Sequence, residues 1–598
     1  MGVATTYMTP GLRLMFSRSA LAFVALIVMM TLYGCQSTSS GSNPKTKLPR
    51  ATQDKSVKAK PKSVRSSATQ EVEALLDAAE LWFESGDPYL ARLSMRDIDI
   101  SSLTGSTRQR VLLVQVQTDL ALGLIDEAAA ALADPGFSTG EKARLRADLC
   151  QRERQIACVA NELIRAAEAE GASSTYNNRI WDALLRTTAG AGSLTGVSAD
   201  ESLQGWLDLV GLVRQAPSLQ AEREAFSKWR QRYPNHTAAS QLPDAIDYLL
   251  STDSAAPMTI AVLLPLTGPL ASIGRAVRDG LVAAHIQEVS TSTPTLMFLD
   301  SAAQPIAQLH DQAVQSGVRM IVGPLVKNDV VALAALSPQI PVVALNYLDT
   351  TSPSADFYQL GLAIEDEGLG IGEALNRFGH EKVLFITSTA PWASRSLSAI
   401  QQQWTGETSR TDISNAKDMT EIIGGALRAT PSFRRKAELQ SVLGIPVQFT
   451  GGVRHDLQAI VALTDAAQTS TLGPALSYHA VGTIPTFLGT QSVRNNGAIF
   501  SLQGARASEL PVMLADDALN QQLRSSFAGQ GSADISFYAL GADAYRLLQR
   551  LPSSTAPNSR TIWGATGLLT LNSSRQFRRT QLWSQIRNQQ LIESPATP

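Results

Sequence analysis

Thr259-Ile260-Ala261-Val262-Leu263-Leu264-Pro265-Leu266 is a continuous apolar run, turned by Thr267-Gly268-Pro269 and followed by helix-spaced apolar residues from Ile273 to His285. An apolar run of this length, bounded by turn residues, reads as a strand buried on both faces. The same unit recurs downstream, with strand-like runs at 295–299, 320–322, 342–345, 383–386, 459–463 and 486–488. Strands that alternate with helices predict parallel sheets covered on both faces. Residues 257–598 are too many for one such sheet, so two lobes are expected, with a cleft at the carboxyl ends of the strands.

Upstream the rhythm is different. From Glu71 to Leu250 the chain is helix-like almost without interruption. Leu75, Ala78, Ala79 and Trp82 stand at i, i+3, i+4 and i+7, the spacing of one helical face. Gly86-Asp87-Pro88 breaks the first helix and Gly123 breaks a second that spans 111–122. The two glycines are 37 positions apart, near the tetratricopeptide period of about 34. Further helices are expected around 142–150, 156–168, 180–185, 203–213, 222–233 and 238–249. Residues 70–250 therefore read as a TPR-like helical domain, an α-helical solenoid of stacked hairpins, a form that binds proteins or polymers along an extended surface. Cys150 and Cys158 fall at the end of one helix and the start of the next. An oxidising compartment would allow a disulfide there, with two buried thiols as the alternative. Their spacing is not that of paired zinc ligands, and no His is near.

The N-terminus places the chain in such a compartment. Arg13 and Arg18 precede an uncharged apolar run over 20–30, then Thr31-Leu32-Tyr33-Gly34-Cys35. A basic start, a short apolar segment and a small residue before the cut describe a secretory signal peptide over 1–34. The apolar segment is shorter than the ~20 residues a spanning helix needs. Met8 or Met15 as the start would leave the same signal. Leu32-Tyr33-Gly34-Cys35 resembles the bacterial lipobox, which implies acylation of Cys35, the several-chain anchor that stable membrane attachment requires. Gln36 after it implies, by the same resemblance, the outer membrane, with the protein on its periplasmic side. Residues 35–69 hold the lipidated Cys and a Ser-, Thr-, Lys- and Pro-rich tether, expected to be disordered because it has little apolar surface to bury. As a coil it would span about 30 Å, and roughly 110 Å when stretched.

Charge sorts the partners. The net charge is −2, with 44% hydrophobic and 17% charged residues. The basic excess is confined to the tether, while residues 70–250 carry 26 acidic against 17 basic side chains. A nucleic-acid binder would place its basic patch on the folded part, so nucleic acid is set aside.

Catalytic signatures are missing from the sequence. It contains no G-x-x-x-x-G-K loop, no H-E-x-x-H helix and no G-x-S-x-G elbow. The six His, at 236, 285, 310, 380, 455 and 479, are scattered and read as surface or helix-end residues. Gly368, Gly370 and Gly372 lack phosphate-loop spacing and read as helix-packing glycines. Glu365-Asp366-Glu367 at a helix start reads as a complement to the helix dipole. No enzyme activity, cofactor or metal is expected.

The stretch 260–284, IAVLLPLTGPLASIGRAVRDGLVAA, resembles the opening of type I periplasmic binding proteins of the branched-chain amino acid class. VRMIVGPLVKNDV (318–330) resembles their third strand, and FYQLGLAIEDEG (357–368) their crossover into the second lobe. GATGLLTLNSSRQFRRTQLWSQIRNQQL (564–591) resembles their closing segment. Such receptors hold a ligand near the first, third and fourth strand ends, where this chain offers Thr267, Ser272, Lys327, Asn328, Asn346 and Tyr347 as candidate cleft residues. Asn346-Tyr347 replaces the small residues usual in amino-acid receptors. The order of lipobox, basic tether, tetratricopeptide-like domain and binding-protein-like domain resembles the LpoA-type penicillin-binding protein activators. So does SVLGIPVQFTGGVRHDLQAIVALTD (441–465), in which Arg454 and Asp456 stand before a strand. This resemblance implies a regulator whose C-terminal domain contacts a class A penicillin-binding protein, a bifunctional peptidoglycan synthase, and stimulates its transpeptidase. The alternative is a lipid-anchored periplasmic solute receptor for a small ligand; a cell-wall hydrolase is the third reading.

Overall fold

The computed structural model describes residues 64–598 apart from 154, 186–200, 252–257, 289–292, 449–453, 455, 480, 495–500, 528–533, 552–560 and 595–598. The signal peptide, Cys35 and the tether up to residue 63 lie outside the described residues. Thr69–Pro598 is one compact unit. Among the described residues no helix is long and apolar enough to cross a membrane.

The first half is a stack of helical hairpins. Val64–Glu84 turns into Pro88–Met95, Gly105–Leu122 into Ile125–Ala131, and Thr139–Arg152 into Ile156–Glu170. Ser174–Leu185, Glu201–Gln215 and Leu219–Arg232 continue it. Each turn is written locally. Asp87 accepts from Leu90 N (3.0 Å), with Pro88 at the first helical position. Gly123 takes φ +75° and lets Leu124 N reach back to Asp119 O (2.8 Å), a closure that favours glycine. Ser138 and Glu141 form a reciprocal capping box. Each hairpin buries its inner face against the next: Leu76, Ala79, Met95 and Val111 share one cluster, and Leu112, Val116, Ala128 and Leu145 share the following one. This nearest-neighbour burial is the solenoid's source of stability. Cys150 and Cys158 are joined in a disulfide, with Cα atoms 5.8 Å apart.

Three details differ from the sequence reading. The first helix begins at Val64, inside the stretch read as tether, because no Pro or Gly stands between Pro61 and Gly86 and propagation from a packed helix costs little. Its buried stripe runs through Val72, Leu76 and Ala79, leaving Trp82 41% exposed. The two overlapping 3.6-residue stripes were indistinguishable by spacing, and packing selects one. The helix expected over 238–249 is two, Thr237–Ser240 and Asp244–Ser251. Pro243 between them cannot continue the first helix, and its carbonyl instead accepts from Ile246 and Asp247 N (2.9 Å each).

The second half is two lobes, each a mainly parallel sheet. The first has strand order β11-β12-β13-β5-β4-β3-β1-β2. Its strands are β1 (Thr259–Leu264), β2 (Thr295–Asp300), β3 (Met320–Val322), β4 (Val342–Ala344), β5 (Phe357–Leu360), β11 (Thr561–Trp563), β12 (Leu568–Leu571) and β13 (Gln576–Thr580). The second has order β15-β14-β10-β9-β8-β6-β7. Its strands are β6 (Lys382–Ser388), β7 (Glu407–Ile413), β8 (Ala459–Leu463), β9 (Thr486–Leu488), β10 (Arg506–Glu509), β14 (Leu582–Arg587) and β15 (Gln590–Glu593). In β1, Ile260, Val262 and Leu264 pack beneath helices Ala271–Gln287 and Ile535–Leu548, while Ala261 and Leu263 pack into the cluster on the opposite face. That two-sided burial is why its sequence is apolar at every position.

The helical stack is tied to the first lobe by buried polar contacts. Glu288 accepts from Leu219 N (3.0 Å) and Gln220 N (3.3 Å), capping helix Leu219–Arg232 from outside it. Glu222 in that helix pairs with Arg550. Arg546 donates to Ala216 O (3.2 Å), and Arg214 lies 4.3 Å over the Trp563 ring while donating to Leu185 O (2.7 Å). Burial lowers the pKa of Arg214 to about 10.

Candidate functional site

Among the described residues the chain passes between the lobes three times: after β5, after β10, and from β13 to β14. Only Gln581 separates β13 from β14, so one nearly continuous strand pairs with β5 in one sheet and with β10 in the other. These crossings bring together a cluster of charged side chains from distant parts of the sequence.

Glu365, Asp366 and Glu367 open helix Ile364–Arg377 at the first crossing. Only Glu365 behaves as the helix-start acid the sequence suggested; it is half-exposed, 3.5 Å from Arg395. The other two turn inward, which corrects the dipole reading. Asp366 Oδ2 is 3.0 Å from the Tyr347 hydroxyl and 3.7 Å from Arg579 Nε. Burial holds its pKa above the usual carboxylate range, against the pull of Arg579. The Tyr347 hydroxyl donates to Phe577 O (2.6 Å), so one tyrosine links the end of β4, the first crossing and β13. Glu367 accepts from both the backbone N and the hydroxyl of Thr490, beyond β9 in the second lobe. Burial raises its pKa to about 6.

At the second crossing Glu509 ends β10. One carboxyl oxygen accepts from Leu510 N (2.8 Å). Burial raises its pKa to about 8, reinforced by Glu367 and Asp534 nearby. Arg494 Nε lies 3.4 Å from Asp534 Oδ2, an ion pair from the second lobe to the N-cap of helix Ile535–Leu548 in the first. Around these groups is a cavity of about 350 Å3, walled by Leu362, Met513, Phe527, Ile535 and Leu591 as well as the charged residues. The volume lies near the lower end for small-molecule sites.

The six candidate cleft residues lie elsewhere. The Thr267 hydroxyl donates to Asp300 Oδ2 (2.7 Å) and Lys327 Nζ to Asp349 (2.6 Å). Lys327 and Asn328 are exposed at the start of helix Lys327–Ala335, and Ser272 is half-buried in the first turn of helix Ala271–Gln287. Asn346 donates to Leu325 O (3.1 Å). Tyr347 alone of the six joins the hinge network, and none of them lines the 350 Å3 cavity. Gly368 and Gly372 do pack helix on helix: a Cβ on Gly368 would lie 2.5 Å from Ser396 O, and one on Gly372 2.7 Å from Ile400 O. Arg454 pairs with Asp456 (2.7 Å) and also donates to Ser409 (2.7 Å), pinning the segment before β8 to β7; it lies in the second lobe, away from the hinge acids.

The hinge carboxyls were missed by sequence reasoning, although one signal was present. Three consecutive acids follow a buried strand, and Arg578-Arg579 stand in the closing segment as complementary charges. Among the described residues, no group of three His, Cys, Asp or Glu could hold a metal ion.

Comparison with known proteins finds relatives over most of the chain. The penicillin-binding protein activator LpoA of Vibrio cholerae serotype O1 is 26% identical over 424 residues, covering 68% of this chain and 70% of that one. That of Pectobacterium parmentieri is 22% identical over 609 residues, covering 88% and 86%. The crystal structure of full-length LpoA from Haemophilus influenzae superposes with a TM-score of 0.47 at 18% identity, covering 88% of this chain and 96% of that one. The family model described as "LppC putative lipoprotein" matches residues 67–589, from within the first helix through β14. Helical stack, both lobes and all three crossings thus fall inside a single family match, and the chain belongs to the LppC lipoprotein family.

Proposed function

We propose that the chain is an outer-membrane lipoprotein, anchored through Cys35, that binds a class A penicillin-binding protein and stimulates its transpeptidase activity. The observation that carries this reading is the extent of the family match. It spans helical stack and lobes together, and relatives aligned over most of their length are named penicillin-binding protein activators. The absence of Walker, zinc-helix and nucleophile-elbow motifs from the sequence favours regulation by contact over chemistry. The buried pairs at Glu222, Glu288 and Arg546 make the helical stack an arm fixed to the first lobe, and the tether provides reach. Activation then follows from tighter binding to the synthase's competent state, with a coupling no larger than the difference in affinity between its states.

The test is reconstitution. Soluble chain beginning at Gln36 is added to a purified class A synthase turning over lipid-linked precursor, and peptide cross-links are counted. A dose-dependent, saturable rise in cross-linking is expected. No rise, and no binding at micromolar concentration, would sink the reading.

A further inference from the structure

The charges lining the hinge cavity balance in number but not in pairing. Six charged side chains line it, from six different segments: Glu367, Glu509, Asp534, Arg494, Arg524 and Arg579. The arginines are engaged elsewhere. Arg524 donates to Val512 O and Ala515 O (2.8 Å each) and to Asp516 (2.9 Å). Arg579 donates to Ala363 O (2.9 Å) and stands beside Asp366. Arg494 pairs with Asp534. Two carboxyl groups, Glu367 and Glu509, are left with no guanidinium of their own. Glu367 has both oxygens occupied by Thr490. Glu509 has one oxygen on Leu510 N; the other has no hydrogen-bond partner among the described residues, although the residue is only 7% exposed. A carboxyl so deeply buried, half-satisfied and facing a cavity invites a donor from outside.

The surroundings narrow what that donor can be. With the three guanidiniums already paired to Asp534, Asp516 and Asp366, an anion would meet the two carboxyl groups left over. Among the described residues no cluster here has the ligands for a metal ion. Met513, Phe527 and Leu591 give the cavity an apolar wall from three different segments. We propose that this cavity binds a small organic ammonium with an apolar body, its charged nitrogen on Glu509 with Glu367 behind it and its body against Met513 and Phe527. The ligand would touch both lobes at once. It contacts Glu509 and Thr490 from the second sheet's side, and Phe527 and Ser536 from the helices over the first. Occupancy would therefore bias the hinge toward the arrangement in which Arg494 meets Asp534.

Binding is coupled to a proton. With the cavity empty, burial keeps Glu509 largely protonated near neutral pH, and an ammonium replaces that proton. Affinity should accordingly rise with pH through about 8, as long as the amine itself stays protonated, which an alkylamine of lysine-like basicity does.

Calorimetric titration of the chain beginning at Gln36 with phenethylamine tests this directly and involves no synthase, so its outcome is independent of the proposed activator role. Saturable binding is expected, more than tenfold tighter at about pH 8.5 than at about pH 6, with 3-phenylpropionate, of the same body and opposite charge, not bound. Glu509→Gln keeps the shape and should weaken phenethylamine binding at least tenfold. Met513→Trp, filling the apolar end, should do the same with Glu509 untouched. Absence of saturable binding, equal binding of 3-phenylpropionate, or undiminished binding by Glu509→Gln would each overturn the proposal.

Discussion

Glu222 and Arg550, 328 positions apart in sequence, form an ion pair with both side chains about nine-tenths buried, at the junction of the helical stack and the first lobe. Burial pushes the Glu222 pKa upward while the guanidiniums of Arg550 and Arg546 oppose it. Removing two charges from water is costly, so such a pair adds little net stability, but breaking it strands one charge in the interior.

Arg550→Ala should therefore destabilise the chain by about 3–5 kcal/mol. Glu222→Leu with Arg550→Leu together should recover most of that loss, because neither charge is left behind. Urea unfolding midpoints of the three proteins check this. A single mutant as stable as the parent would mean the junction relaxes to admit water.

The hinge carboxyls set a pH dependence. Glu509 and Glu367 have folded-state pKa values of about 8 and about 6, above the ordinary 4.5. The native state holds their protons more tightly than the unfolded chain does. Their contribution is fully present below about pH 4.5 and is lost as pH rises through about 6 and then about 8. Stability should decline across that window, at no more than roughly 1.4 kcal/mol per pH unit for each group that is ionised in the unfolded chain and still protonated in the fold. Groups such as Asp456, held low by Arg454, pull the other way at acid pH, so the difference between parent and Glu509→Gln is the informative quantity. The variant should gain stability relative to the parent between about pH 4.5 and about pH 8; parallel curves would show that Glu509 is ionised throughout.

Why the lobes were legible and the hinge was not follows from where each signal resides. β1 and β8 are buried on both faces, so burial alone dictates Ala, Ile, Leu and Val at every position. β7 was missed because Glu407–Ile413 is an edge strand, largely exposed, with polar residues at most positions. The turn between β14 and β15 places Asn588 and Gln589 at φ +49° and +61° without the glycine that usually marks such a hairpin. The hinge is harder still. Asp366 and Glu367 look like exposed helix-start acids until Tyr347, Arg579 and Thr490 close over them, and Arg579 lies 213 positions away. No local pattern encodes a contact of that separation. The candidate cleft residues stand at strand ends, as the resemblance implies, but Thr267, Lys327 and Asn346 spend their polar groups on the segments that end neighbouring strands.

Cys150 and Cys158 close a short loop between two helices, with a sequence separation of 8. Constraining so short a loop in the unfolded chain is worth about 2–3 kcal/mol. Cys150→Ala with Cys158→Ala should lower the unfolding midpoint accordingly, and reductant should have that effect on the parent but not on the double variant. Intact-mass measurement after alkylation without reductant should find neither thiol modified. Alkylation of both would mean that the chain carries them reduced.

Helices Ala271–Gln287 and Ile535–Leu548 cross where each presents a glycine. A Cβ on Gly280 would stand 1.8 Å from Tyr538 O, and one on Gly541 would stand 1.9 Å from Val277 O. Both obstacles are backbone atoms, so no side chain can rotate aside and the helices themselves must separate. Overpacking a well-filled core costs about 1–3 kcal/mol or more. Gly541→Ala should reach at least that range. The displaced helix also carries Asp534 at its N-cap, so the pair with Arg494 should weaken at the same time. Gly370 is the matched control. It lies in the middle of helix Ile364–Arg377 with nothing within 4 Å of an added Cβ, so Gly370→Ala should be neutral or stabilising by about 0.5–1 kcal/mol. Thermal unfolding of the two variants beside the parent separates close packing from helix propensity. If Gly541→Ala melts with the parent, the two helices have room to move apart, and the hinge is looser than its buried contacts suggest.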